Sequence, residues 1–166
     1  MPGTSRSPES SNWVESRRTG EHRRYARDMS GVTPEQRPTR DGQSVTELVR
    51  ALCMDLPLVV ERLSHGEASW FVNDKKNFVA MSDHHHDDRV SVTFAASAGI
   101  QESLIEDDPE RYFRPPYVGG RGWVGAYLDG RDDGNEPQWD RIADLIVDAW
   151  LVVAPPKVRE LLEPQR

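Results

Sequence analysis

Residues 138–154 predict a long amphipathic helix, QWDRIADLIVDAWLVVA, that must bury one face against an apolar surface. Its apolar side chains recur at three- and four-residue spacing and form a single stripe: Trp139, Ile142, Ala143, Ile146, Trp150 and Val153. Pro155 and Pro156 end the helix, because proline has no backbone N–H to donate. The rest of the chain must therefore provide the apolar layer on which this stripe packs.

Short strand patterns earlier in the chain predict that layer. The segments ASWFV (68–72) and NFVAM (77–81) flank the turn-like NDKK and predict a hairpin. The segment RVSVTFAA (89–96) alternates apolar and polar residues, which is typical of a strand with one buried face. A further hairpin is predicted from PPYV (115–118) and WVGAYL (123–128), which flank the glycine-rich GGRG.

Two more helices complete the expected fold. Residues 44–57 begin with the capping-box pair Ser44 and Glu47 and end at a proline. Residues 98–108 predict a short helix. The order is helix, three strands, short helix, two strands and long helix. We therefore expect an α+β fold over residues 44–164, with an antiparallel sheet of about five strands and two main helices packed on one face.

Charge divides the chain into two parts. Residues 1–43 are rich in Ser, Arg, Pro, Gly and Glu, show no apolar periodicity, and are expected to be a disordered tail. The net charge is −7; residues 1–43 have 8 basic and 6 acidic residues, whereas residues 44–166 have 13 basic and 22 acidic residues. An acidic domain is not attracted to nucleic acid non-specifically, which counts against a DNA-binding function.

The cellular location is indicated only by composition. No apolar run approaches the ~20 residues that span a bilayer, and the N-terminus lacks the apolar region of a secretory signal. Cys53 is the single cysteine and cannot form an internal disulfide. These features favour a cytoplasmic protein.

Three segments together resemble the MmcQ/YjbR family. They are LSHGEASWFV (63–72), PERYFRPPYVGGRGWVGAYLD (109–129) and QWDRIADLIVDAWLVVAP (138–155), and the resemblance extends over about residues 44–158. It implies a fold like that of the frataxin/CyaY proteins, with two helices over an antiparallel sheet. It also implies a non-enzymatic role in binding double-stranded DNA through two β-hairpin wings, without a cofactor.

Five cations lie in or next to the segments that the resemblance assigns to the wings. Lys75 and Lys76 belong to the NDKK turn and Arg121 to the GGRG turn, while Arg111 and Arg114 come just before the third hairpin. Basic side chains there would contact phosphates and add affinity without reading sequence. Charged residues are also common in exposed turns, so the pattern by itself leaves both interpretations open.

An alternative function is the binding of a small molecule or a protein. Its cleft would be lined by His65, Trp70, Tyr117 and Trp123, which combine aromatic rings with an imidazole. The acidic overall charge favours this alternative, whereas the basic turns and the family favour DNA. Monomeric behaviour is expected for either.

Three consecutive histidines, His84–His86, lie among aspartates in the sequence SDHHHDD (82–88). Imidazole and carboxylate are good metal ligands, but a zinc site needs three or four convergent ligands with ordered support. We interpret the segment as a solvated turn between two strands, with weak divalent-metal binding as the alternative.

Two further features of the sequence bear on possible chemistry. Asp140, Asp144 and Asp148 recur every four residues opposite the apolar stripe of the last helix, and we interpret them as a solvated face. The sequence contains no nucleophile elbow, phosphate loop, CxxC pair or HExxH motif. We therefore expect no catalytic residues and no resident metal.

Overall fold

The computed structural model describes residues 43–83, 89–130 and 137–162. Its strands are β1 (Val59–Ser64), β2 (Glu67–Val72), β3 (Lys76–Asp83), β4 (Val90–Phe94), β5 (Tyr112–Phe113) and β6 (Val124–Tyr127). Its α-helices are α1 (Gln43–Met54), α2 (Ile100–Asp107), α3 (Trp139–Val153) and α4 (Pro156–Arg159), and 3-10 turns cover Gly119–Arg121 and Glu160–Leu162. All of the predicted tail except Gln43 lies outside the described residues. None of the described helices is long and apolar enough to cross a membrane.

The six strands form one sheet in the order β1-β2-β3-β4-β6-β5, and each neighbouring pair is antiparallel. This confirms the α+β class and the antiparallel sheet, which has six strands rather than about five. The additional strand is β1, whose sequence VVERLS was not recognised as a strand. His65 lies in the turn that joins β1 to β2.

The third predicted hairpin is wrong in its first strand and its tip. The strand that pairs with β6 is Tyr112–Phe113, and the PPYV segment forms turns instead. The backbone N–H of Gly119 donates to Pro115 O at 2.9 Å, and Tyr117 has a left-handed φ of 65°. Two consecutive prolines have no N–H to donate to a strand partner, so local turn bonds replace strand pairing here. GGRG accordingly forms a 3-10 turn rather than a hairpin tip.

Helices α1 and α3 pack on one face of the sheet. A row of neighbouring residues crosses four strands on this face, and all four side chains are fully buried: Trp70, Val79, Phe94 and Val124. Helix α1 adds Val45, Val49 and Cys53 to the same core. The apolar stripe predicted for the last helix is confirmed, because its four central residues are buried: Ile142, Ala143, Ile146 and Trp150.

Trp150 connects α3 to the start of β1. Its ring is completely buried, and its indole N–H donates to the carbonyl oxygen of Pro57 at 3.0 Å. A buried indole N–H needs such a partner, because an unsatisfied donor in the core is costly. The hydrogen bond therefore fixes where the chain enters the sheet.

Glu61 ties the edge strand β1 to α1 and to the core. Its carboxylate accepts two hydrogen bonds from the Arg50 guanidinium, at 2.7 and 2.9 Å, and one from the Trp70 indole at 3.2 Å. The hydrogen bond from Arg50 is the largest cause of the lowered pKa of Glu61, and the same bond raises the pKa of Arg50. Burial raises the pKa of the nearby Cys53 thiol.

The strand register sorts the connections into two ends of the sheet. We call one the cationic end; it comprises residues 55–58 before β1, 73–75 between β2 and β3, Lys76 at the start of β3, 95–99 after β4, and 114–123 between β5 and β6. The opposite end contains the turn at His65 and the residue Asp129, which follows β6.

We expect Trp150→Ala to lower the free energy of unfolding by about 3–5 kcal/mol, because deleting a buried indole leaves a cavity. Urea unfolding followed by circular dichroism measures this change. Val152→Ala is the matched control, since Val152 lies on the same helix but is 38% exposed. A cost under about 0.5 kcal/mol for Trp150→Ala, a value typical of surface positions, would contradict the packing of α3.

We expect Glu61→Gln to destabilise the protein at neutral pH and to have little effect in acid. The pKa of Glu61 is lowered in the folded state, so its contribution is complete above the unfolded value of about 4.3 and is lost as the pH falls through the folded value. The loss at pH 7 should be about 1 kcal/mol, after allowing for solvent screening at the part-exposed Arg50.

Urea unfolding of wild type and variant at pH 7 and pH 3 provides the measurement. Glu102→Gln, at an exposed position of α2, serves as the control. An equal difference between wild type and Glu61→Gln at both pH values would argue against an ionised Glu61 in the tie to α1.

Candidate nucleic-acid interface

The turn between β2 and β3 presents two lysines to solvent. Asn73 and Asp74 both adopt left-handed φ values, 53° and 55°, and the N–H of Lys75 donates to Val72 O at 3.1 Å. Asn and Asp tolerate this conformation better than most residues, which explains the tight turn. Lys75 and Lys76 are exposed, as predicted for a hairpin tip.

The acid next to these lysines is already paired. Asp74 lies 3.1 Å from the guanidinium of Arg62, which belongs to β1. This ion pair offsets the negative charge of the turn. Within the described residues, no ion pair joins Lys75 or Lys76 to an acid. Both ammonium groups are therefore exposed to solvent without an acidic partner there.

The glycine-rich segment forms a compact turn through its own backbone. Arg121 N–H donates to Val118 O at 2.9 Å, and Gly122 N–H donates to Gly119 O at 3.1 Å. Gly122 closes the turn with a left-handed φ of 84°, which glycine adopts at little cost. Arg121 is exposed on this turn.

Gly119 is buried beneath the side chain of Arg114. A Cβ atom added at Gly119 would come within 2.5 Å of Arg114 Cγ, so only glycine allows the aliphatic part of Arg114 to lie there. The Arg114 guanidinium extends toward Gly120, where a Cβ would lie 4.0 Å from Nη2. Arg114 and Arg121 thus share one turn.

Gln101 holds this turn against the body of the domain. It lies in the first turn of α2, is only 3% exposed, and its side-chain amide donates to Gly119 O at 2.8 Å and to Trp123 O. Gln101 was not recognised as important from the sequence. The available signal was a polar residue three positions before Leu104 on the inward face of a short helix.

Both turns lie at the cationic end of the sheet. Val79 on β3 pairs with Phe94 on β4, and Phe94 pairs with Val124 on β6, so the β2–β3 turn and the residues before β6 face the same way. Strands β3 and β6 are two positions apart, which corresponds to about 10 Å. The structure therefore brings Lys75 and Lys76 to the same end as Arg114 and Arg121.

Arg111 is separate from the other four cations. It precedes β5 and lies toward the opposite end of the sheet, where its side chain is 14% exposed and its Nε is 3.1 Å from Asp108 Oδ2. Its backbone N–H also donates to the Asp108 carboxylate. The charge of Arg111 is therefore already paired within the fold.

The four residues expected to line a cleft are not brought together. His65 lies in an exposed turn at the opposite end of the sheet from Tyr117 and Trp123. Trp70 is fully buried in the core, whereas Tyr117 is 88% exposed. The alternative function therefore lacks the lining that the sequence suggested.

The segment His84–His86 lies outside the described residues, so its interpretation as a turn stays a prediction. Across residues 43–83, 89–130 and 137–162, no group of three or more His, Cys, Asp or Glu side chains is placed to hold a metal ion. On α3, Asp140 and Asp148 are exposed and Asp144 is half-buried.

The sheet face opposite α1 and α3 carries two arginines that stack on aromatic rings. The Arg62 guanidinium lies 4.0 Å from the Phe71 ring centroid, and that of Arg89 lies 3.6 Å from the Tyr127 ring. Arg89 also forms a close ion pair with Asp129, at 2.6 Å, with side chains 17% and 2% exposed. Each of these arginines pairs with an aspartate. Among the described residues, the exposed cations without such an ion pair at the cationic end are those of the two turns: Lys75, Lys76, Arg114 and Arg121.

The chain is similar to known proteins both in sequence and in fold. The YjbR family model matches residues 54–152. A crystal structure of the Deinococcus radiodurans protein DR2400, with a domain described as DUF419, superposes with a TM-score of 0.57 over 75% of this chain and 91% of that chain, at 14% sequence identity. At that identity the likeness concerns the fold alone. No curated protein matches the chain.

Proposed function

Because the chain belongs to the YjbR family, we propose that it binds the phosphate backbone of double-stranded DNA through the cationic end of its sheet and catalyses no reaction. One observation carries the proposal. Four exposed cations from two separate turns, Lys75, Lys76, Arg114 and Arg121, lie at the same end of the sheet. The DNA-binding role itself is what the family resemblance implies.

The local charge at these turns differs from the charge of the whole domain. The segments 73–76 and 114–121 contain four cations and a single acid, Asp74, which is paired with Arg62. The net charge of −7 therefore arises elsewhere. Long-range repulsion is screened beyond about 8 Å at physiological salt, so a local cationic surface can bind DNA on an acidic protein.

Asp140 and Asp148 are exposed on a helix that packs on a face of the sheet, whereas the cations lie at an end of it. The four cations should favour steered association with a duplex, since complementary potentials guide encounter.

Contacts of this kind position a protein on DNA without reading its sequence. Lys and Arg side chains on turns reach phosphate oxygens, and Gly120 is exposed and lets the backbone approach a phosphate closely. The proposal accordingly predicts affinity that depends strongly on salt and weakly on base sequence. It also retains the CyaY-like topology, the cytoplasmic location and the monomeric state as expectations from the resemblance and the composition.

We expect the triple variant Lys75→Ala, Lys76→Ala, Arg121→Ala to bind duplex DNA more weakly at every sequence tested. Each lost phosphate contact should reduce the slope of log K against log salt by roughly 0.9, so the slope should fall by roughly 2–3. Fluorescence anisotropy of labelled duplexes at several NaCl concentrations measures the slope. Folding should be unaffected, because all three side chains are exposed.

Arg141→Ala is the matched control, since Arg141 is an exposed arginine near the start of α3 that lies beside Tyr112 of β5 and not on the two turns. It should leave the salt slope unchanged. An unchanged slope in the triple variant would remove the two-turn interface, and absence of binding by the wild type at low salt would remove the proposed function.

A further inference from the structure

We infer that Gln101 and Gly119 are positioning residues of the proposed interface, which hold the 114–123 turn so that Arg114 and Arg121 meet the same stretch of DNA backbone. This inference rests on the proposed function and adds to it the means by which two arginines are presented together. Neither Gln101 nor Gly119 carries charge, and neither needs to touch DNA.

The 114–123 turn is not held in place by strand pairing. The β5–β6 ladder ends at Phe113 and Gly125, and the ten residues from Arg114 to Trp123 have no strand partner. The hydrogen bonds within the turn, such as that from Arg121 N–H to Val118 O, fix its internal shape. They do not fix its position on the domain.

The amide of Gln101 supplies that position. Its two N–H groups are directed to two carbonyl oxygens at different points of the segment, Gly119 O inside the 3-10 turn and Trp123 O just before β6. One side chain therefore fixes both ends of the stretch that contains Arg121. Gln101 is itself anchored, because Leu104 on the same inward face of α2 belongs to the core.

Gly119 supplies the second constraint. Its missing side chain leaves room for the Arg114 stem, which lies directly over the glycine and sends the guanidinium toward Gly120. An alanine at 119 would clash with Arg114 Cγ and displace that side chain from the turn. The separation of Arg114 from Arg121 is therefore set by a glycine that is buried under one of them.

This arrangement lowers the conformational-entropy cost of binding DNA. A long arginine side chain loses rotamer freedom when it contacts a phosphate, and a side chain that is already confined loses less. Removing either constraint should weaken the contacts of Arg114 and Arg121 while leaving both charges in the protein. That outcome separates a positioning role from simple loss of charge.

The test is a double-mutant cycle on DNA binding with Gln101→Met, in which a side chain of similar length cannot donate. Anisotropy titrations with a labelled duplex at several NaCl concentrations would compare wild type, Gln101→Met, Arg114→Ala/Arg121→Ala and the combination of all three changes. We expect Gln101→Met to reduce the salt slope by roughly 0.9–1.8, the value for one or two phosphate contacts. It should have no further effect when both arginines are already absent.

Ser103→Ala, at an exposed position of the same helix, is the control and should behave as wild type. Amide hydrogen exchange, measured without DNA, should accelerate at residues 119–123 in Gln101→Met and stay unchanged in Ser103→Ala. Gly119→Ala keeps Gln101 intact and gives a second route if Gln101→Met does not fold, with the same expected reduction of the slope.

The outcomes distinguish this inference from the proposed function. If the wild type binds DNA and folded Gln101→Met and Gly119→Ala both keep its salt slope, the positioning role is overturned while DNA binding stands. A full, additive effect of Gln101→Met in the absence of both arginines overturns it as well. If the wild type does not bind duplex DNA at low salt, both ideas fall.

Discussion

Burial of Trp150 against the sheet is the interaction on which the rest of the architecture depends. Its ring is completely enclosed in the core that contains the row Trp70, Val79, Phe94 and Val124, and its indole N–H reaches Pro57 at the start of β1. One residue thus fixes the helix on the sheet and the point where the first strand begins. That row also sets the register across four strands, because a slip of one residue would turn its apolar side chains to the other face. The same register determines which turns share an end.

Much of the fold could be predicted because its signals are local. The stripe on the last helix, the β2–β3 hairpin and the alternating strand β4 each show their period within a few residues. Strand β1 was missed because Glu61 and Arg62 lie at its centre, and an edge strand with charges there does not read as a buried strand. The partner that makes Glu61 acceptable is Arg50, which lies on another element. Local periodicity contains no information about such a partner.

The candidate site could be predicted less fully than the fold, because its geometry depends on register and on backbone conformation. The sequence identified the basic residues but not which of them lie at the same end of the sheet. It grouped Arg111 with the other cations, although Arg111 lies toward the opposite end and forms an ion pair with Asp108. The GGRG segment was predicted as a hairpin tip since glycines commonly mark one. The prolines and the left-handed Tyr117 redirect the backbone into a 3-10 turn instead. Gln101 contacts that turn at Gly119, eighteen residues later in the chain. Short sequence motifs do not reveal a contact over such a separation.

Six of the eight arginines in the described residues fall into two physical groups, and the division argues for the position of the interface. Arg50, Arg62, Arg89 and Arg111 each pair with a carboxylate. Their charges are offset within the fold and would have to leave a partner to reach a ligand. Within the described residues, by contrast, no ion pair joins Arg114 or Arg121 to a carboxylate. An incoming phosphate would displace no carboxylate there, so its attraction would not be cancelled by the loss of an existing ion pair. In an acidic domain, this difference matters more for anion binding than the total number of basic residues.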